Sequence, residues 1–226
     1  MCLGSLNMRD NEIGRSMIEM LGVLAIVGIL SVGGIAGFSK AMMKYKLNKL
    51  TEEYTLFINE FLRYEKDWIK EKMQLSPNEH FYLTSYVTQL GIIPQGWSHS
   101  GSYIYDSMGN RMNVSIRHEQ NDSGIRHNKP MISYSIKKQD QEDNEVLMCQ
   151  NFFVNIAKPY SNIITAVHVW GSDSDGDENA SLMWYGDSYC YGNRNCVRYA
   201  TISQIYDSCI SCVKEGSSCV LLIGFE

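Results

Sequence analysis

Twenty consecutive residues without a charge, Met20 to Ser39 (MLGVLAIVGILSVGGIAGFS), constrain this chain more than anything else in it. As a helix rising 1.5 Å per residue the run is about 30 Å long, the thickness of a bilayer's hydrocarbon core. It exceeds the apolar region of a secretory signal peptide, and no A-x-A-like cleavage site follows it. A membrane-spanning helix is therefore expected, with lipid as its first partner. The average conceals this: mean hydropathy over the 226 residues is -0.23. With 20% charged residues, four prolines and no internal repeat, the remainder has the composition of a folded domain, neither disordered nor collagen-like. A net charge of -5 and no long Lys/Arg block leave no electrostatic footprint for nucleic acid.

Glu19 stands at the very start of the apolar run. A charge at the centre of a membrane helix costs roughly 3 kcal/mol and less near an end, so this carboxylate either snorkels to the boundary or has a partner. Gly14, then Ile18-Glu19 four residues on, then a long apolar helix resembles the N-terminus of type IV pilins and of the pseudopilins of type II secretion. The resemblance covers roughly Asn11 to Lys44. It implies a prepilin leader, 1–14, removed by a prepilin peptidase between Gly14 and Arg15, and N-methylation of Arg15 at the new terminus. Arg15 departs from the family, which generally carries Phe, Met or another apolar residue there. The resemblance also implies a bacterial inner-membrane protein, single-pass with a periplasmic head, that joins other pilin-like subunits at an inner-membrane assembly platform. Orientation rests on the family, because Lys40, Lys44, Lys46 and Lys49 run against the positive-inside rule. In that setting Glu19 is the assembly residue, pairing with a neighbouring subunit's terminal amine.

Gly33 and Gly37 form a GxxxG spacing, which lets membrane helices approach closely, although glycine is common in such helices anyway. Between Ser39 and Ser76 there is neither Gly nor Pro, and Met43, Leu47, Leu50, Tyr54, Phe57, Phe61, Tyr64 and Trp68 follow one another at steps of three and four. That stripe predicts an amphipathic helix continuous with the membrane segment, a rod of about 85 Å from Ser16 to Lys72. The domain plan expected is a leader at 1–14, a long helix at 15–76 with its transmembrane segment at 20–39, and a head at 77–226.

Within the head, helices are expected around Tyr82–Leu90, Glu145–Lys158 and Thr201–Cys212. Strands are expected at Ser102–Tyr105, Met112–Arg117, Met131–Lys137, Ile163–Trp170 and Val220–Phe225, the first two joined as a hairpin through Asp106 to Asn110. The fold class is α+β, a long N-terminal helix packed on an antiparallel sheet, a pilin-like plan.

Seven cysteines are present. Cys2 lies in the leader, leaving Cys149, Cys190, Cys196, Cys209, Cys212 and Cys219. An even number on the exported side of a membrane favours disulfides, with fifteen possible connectivities; Cys190 to Cys196 is the preferred local pair and the others stay unassigned. Cys209-Ile-Ser-Cys212 is also a C-x-x-C, so zinc or thiol chemistry is an alternative, but Cys190 and Cys196 are too widely spaced for a second zinc knuckle. Asp173, Asp175 and Asp177 alternate in an acidic loop that is a weak calcium candidate; it lacks the EF-hand's distal glutamate, and a solvated turn is the preferred reading. The five histidines form no H-E-x-x-H pair, and neither a P-loop nor G-x-S-x-G occurs. No enzyme and no cofactor is expected. The function expected is that of a structural subunit of a type IV pilus or type II secretion pseudopilus. The alternative is a signal-anchored periplasmic binding domain that never polymerises.

Overall fold

The computed structural model describes residues 10–71, 80–120, 126–138, 142–172, 178–214 and 218–226. They form an α+β protein: a long apolar N-terminal helix and one open antiparallel sheet of eight strands. The chain divides into two compact units, Met1–Lys46 and Leu47–Glu226. The first helix, α1 (Asp10–Arg63), contributes to both, so its amphipathic half belongs with the head.

The head's core begins with that half. Leu47, Leu50, Tyr54, Phe57, Ile58 and Phe61 are all buried, the i, i+3, i+4 stripe of a helix lying on apolar partners. The rod does not continue unbroken to Lys72. It turns at Tyr64 and resumes as α2 (Glu65–Glu71), despite the absence of Gly or Pro. The Trp68 indole takes over a helix acceptor, donating to the Phe61 carbonyl at 2.9 Å, and its ring stacks on that of Phe61 at 6.1 Å. A buried aromatic thus ends the helix by competing for its last carbonyls.

The sheet is built from β1 (His80–Tyr82), β2 (Ser98–Ser100), β3 (Tyr103–Tyr105), β4 (Arg111–Gln120), β5 (Arg126–Ile136), β6 (Ile164–Ser172), β7 (Glu178–Tyr185) and β8 (Ser218–Phe225). Its order is β2-β3-β4-β5-β8-β6-β7, with β1 also on β4. β3 takes the start of β4 and β1 its later part, sharing one edge. The expected hairpin turn holds at Gly109, whose φ of 81° is left-handed, with the Gly109 amide on the Asp106 carbonyl at 3.0 Å. β5 begins five residues earlier than its alternation suggests and pairs with β4 across ten positions. Sequence periodicity did not mark β1, β2 or β7.

One face of the sheet is the core wall: Met112, Val114 and Ile116 on β4, Ile132, Tyr134 and Ile136 on β5, and Leu221, Ile223 and Phe225 on β8 are buried. Tyr54 from α1 meets Tyr134 at 5.2 Å, Trp97 at 4.8 Å and Phe152 at 5.8 Å between ring centres. The remaining helices are α3 (Thr84–Gln89), α4 (Glu142–Phe152) and α5 (Ile202–Lys214). α4 runs on into a π-helical turn at Phe153–Ala157, so the helix expected at Glu145–Lys158 is two helical types. α5 opens on a capping box: Thr201 Oγ1 accepts from the Gln204 amide at 3.3 Å, and Gln204 Oε1 accepts from the Thr201 amide at 2.9 Å.

Candidate functional site

The first candidate site is the apolar half of α1. From Met17 to Phe38 every large apolar side chain on it is more than half exposed, with Ile29 at 74% and Val32 at 71%. A soluble helix hides one face, whereas this one is apolar all round, the pattern of a helix whose solvent is lipid or other helices. Met17–Arg63 is long enough to cross a bilayer, and its most apolar 18-residue window averages a hydropathy of 2.3 with none of it buried. A membrane anchor or a signal segment both fit those properties.

The residues singled out along this helix have definite places. Gly14 and Arg15 lie within α1. Glu19 follows on the same helix and is exposed. Gly33 and Gly37 sit one helical turn apart, and a Cβ added at either would meet nothing within 4 Å. The small surface they leave is therefore open for another helix to occupy.

The second candidate region is the cysteine-rich end of the head. Cys149 on α4 is bonded to Cys209 on α5, Cys212 at the end of α5 to Cys219 at the start of β8, and Cys190 to Cys196 in the loop after β7. The two halves of the C-x-x-C therefore have different partners, because Cys209 and Cys212 face different elements from one helical turn. The first bond ties α4 to α5, which pack together and cover β5, β6, β7 and β8. Among the described residues no group of three His, Cys, Asp or Glu is placed to hold a metal. Asp173, Asp175 and Asp177 lie outside the described residues.

The loop closed by Cys190 and Cys196 is organised by cations on aromatic faces. The Arg194 guanidinium lies 4.4 Å from the Tyr185 ring centre and 3.9 Å from that of Tyr191, and donates to the Tyr189 carbonyl at 3.0 Å. Gly186 lets the chain enter this loop, since a Cβ there would run into the Ile164 carbonyl oxygen. Arg198 then pairs with Asp187, and the Asp187 amide donates to the Ser161 carbonyl at 2.7 Å.

A third arrangement, which sequence reasoning missed, fixes α1 in the head. Glu53, 8% exposed, receives the Trp97 indole N–H and the Ser107 hydroxyl on Oε2, both at 2.8 Å, and faces Lys49 at 3.6 Å. Next to it Asp106 accepts from the Met108 and Asn110 amides, the Asn110 side chain and, at 3.4 Å, the Tyr54 hydroxyl. Burial pushes the Asp106 carboxyl up from its ordinary range, against the pull of those hydrogen bonds. Desolvation raises the Tyr54 and Tyr134 phenols well above theirs. The signal was a charged residue, Glu53, inside the apolar stripe; its partners come from 44 and 54 residues away.

No protein-family model, curated protein or solved structure matches this chain.

Proposed function

We propose that this chain is a pilin-like structural subunit, cut after Gly14, held in the inner membrane by the apolar half of α1, and assembled into a type IV pilus or type II secretion pseudopilus. One observation carries the reading: a single helix, α1, is apolar on all sides over Met17–Phe38 and supplies the head's core stripe over Leu47–Phe61. An anchor that only tethers a domain needs no such sharing. A subunit that must carry its membrane helix into a filament core does, because the apolar surface must pass from lipid to neighbouring helices while the head stays attached.

In this reading Glu19 neutralises the amine created at Arg15 on a neighbouring subunit, fixing the stagger between helices. Gly33 and Gly37 allow those helices to approach. The three disulfides hold the head's outward region after export. The prepilin peptidase, the assembly platform and other pilin-like subunits are the partners the reading requires.

The N-terminal mass of the membrane-extracted protein tests it. A mature chain of 212 residues beginning at Arg15 (226 minus 14) is expected. A chain that still begins at Met1 overturns the reading in favour of a non-polymerising anchored domain.

A further inference from the structure

The lysines of α1 fall in one place. Between Glu19 and Glu52 the chain has no acidic residue, and Lys40, Lys44, Lys46 and Lys49 follow directly on the uncharged run that ends at Ser39. Lys49 belongs to the head, where it faces Glu53 at 3.6 Å. Lys40, Lys44 and Lys46 lie in the first unit and are exposed. Among the described residues none of these three has an ion-pair partner. Tyr45 stands among them, 63% exposed.

Their spacing matches one layer of a bilayer. From Lys40 to Lys46 a helix rises about 9 Å, and the polar headgroup layer on each side of the hydrocarbon core is roughly 5–8 Å deep. At 3.6 residues per turn Lys40 and Lys44 are about 40° apart and Lys46 is on the other side, so the three ring the helix. Side chains on a helix lean toward its N-terminus, which here is toward the apolar run. The ammonium groups therefore reach back to the headgroup layer, and their methylene stems cover the helix on the way. Tyrosine is enriched at the same depth, with its ring in the apolar edge and its hydroxyl in water.

The head's three disulfides favour an oxidising compartment. Lysines on the flank leading to that compartment oppose such an orientation, since basic residues tend to hold a flank in the cytoplasm. Export of the head does not account for them, whereas an anionic partner at the membrane surface does. We propose that Lys40, Lys44 and Lys46, with Tyr45, bind the headgroups of anionic phospholipids. Compact charges on flexible stems suit phosphates whose positions shift in a fluid layer. The contact fixes the depth at which α1 sits. The proposal rests on α1 lying in a bilayer and holds equally for a filament subunit and for an anchored domain.

The full chain reconstituted in phosphatidylcholine vesicles tests it, with a trace of spin-labelled phosphatidylglycerol or spin-labelled phosphatidylcholine. Electron paramagnetic resonance then reads the fraction of each lipid slowed against the protein. Phosphatidylglycerol is expected to associate at least threefold more strongly than phosphatidylcholine, a preference that about 1 M sodium chloride weakens. Lys40→Gln, Lys44→Gln and Lys46→Gln together should bring the two lipids to parity, and the three Arg substitutions together should keep the preference. Lys66→Gln, at an exposed lysine of α2, should leave it unchanged. Equal association of the two lipids with the inserted wild type, or a wild-type preference in the triple Gln variant, overturns the proposal alone. Sodium phosphate that abolishes the preference at an ionic strength where sodium chloride does not overturns it in favour of a free-anion site. A chain that alkaline carbonate washes off the vesicles overturns it together with membrane insertion.

Discussion

The Trp97 indole donates a 2.8 Å hydrogen bond to Glu53 Oε2, joining the head's irregular segment after α3 to the core helix. The acceptor is a buried carboxylate, so the bond is stronger than one between neutral groups. Trp97→Phe keeps most of the ring packing on Tyr54 and Phe57 and removes the donor. A loss of about 2 kcal/mol is expected, measured by denaturant unfolding in micelles. Glu53→Gln in the same background should cost less than it does alone, since the two residues share one interaction.

The three disulfides should differ in their worth. Cys149–Cys209 closes a separation of 60 residues, Cys212–Cys219 one of 7 and Cys190–Cys196 one of 6. By loop-closure entropy the long bridge contributes about 4 kcal/mol and each short one about 2 kcal/mol. Replacing both cysteines of each pair by Ala, one pair at a time, should lower the unfolding midpoint most for Cys149 and Cys209. An equal loss for all three pairs would show that strain or local packing outweighs the chain-entropy term.

Much of this fold was legible where one element repeats a pattern along itself. The stripe from Leu47 to Phe61 is written at helical spacing, and Val114 and Ile116 on β4 alternate as an inner face must. What failed to show was set by neighbours distant in sequence. β1 and β2 are three residues each, too short for a period, and exist because β4 and β3 offer them edges. The break at Tyr64 depends on Trp68 folding back on Phe61. Glu53 drew no notice in the sequence because its partners, Trp97 and Ser107, reach it only through the fold.

Asp106 should leave a pH signature. Its carboxyl is raised from 3.8 by burial, so the folded protein holds that proton more tightly than the unfolded chain does. Between the ordinary value and the raised one the folded state binds more protons, and stability from this group falls as pH rises through that window. Asp106→Asn removes the titration. The difference in Tm between wild type and Asp106→Asn should therefore be larger near pH 4 than near pH 7, with carboxylates common to both cancelling. A difference that grows with pH would mean that the hydrogen bonds from Met108, Asn110 and Tyr54 outweigh desolvation.

Glu19 separates insertion from assembly. It lies on α1 one residue before the uncharged run, and Glu19→Gln makes the helix more apolar, so membrane insertion should be retained. If the carboxylate pairs with a neighbouring terminal amine, its removal leaves that amine buried without a counter-charge, a loss that lowers filament yield roughly tenfold or more. Quantifying the protein in the membrane and in sheared filaments checks both halves. Filaments at wild-type yield would remove this role from Glu19.

Gly33 and Gly37 test helix association without disturbing the subunit. Neither position has an atom within 4 Å of an added Cβ, so Gly33→Ala with Gly37→Ala introduces no clash inside one chain. Alanine is also the better helix former, by about 1 kcal/mol per position. The isolated subunit in micelles should thus keep or gain helicity by circular dichroism. Contact between helices runs the other way, because each methyl thickens the surface through which two backbones approach. Helix pairing measured by energy transfer between labelled chains in bilayers should fall, and further for Leu than for Ala at the two positions. If pairing persists in the double Leu variant, the association surface lies on another side of α1, and these glycines serve only the ease with which the helix bends.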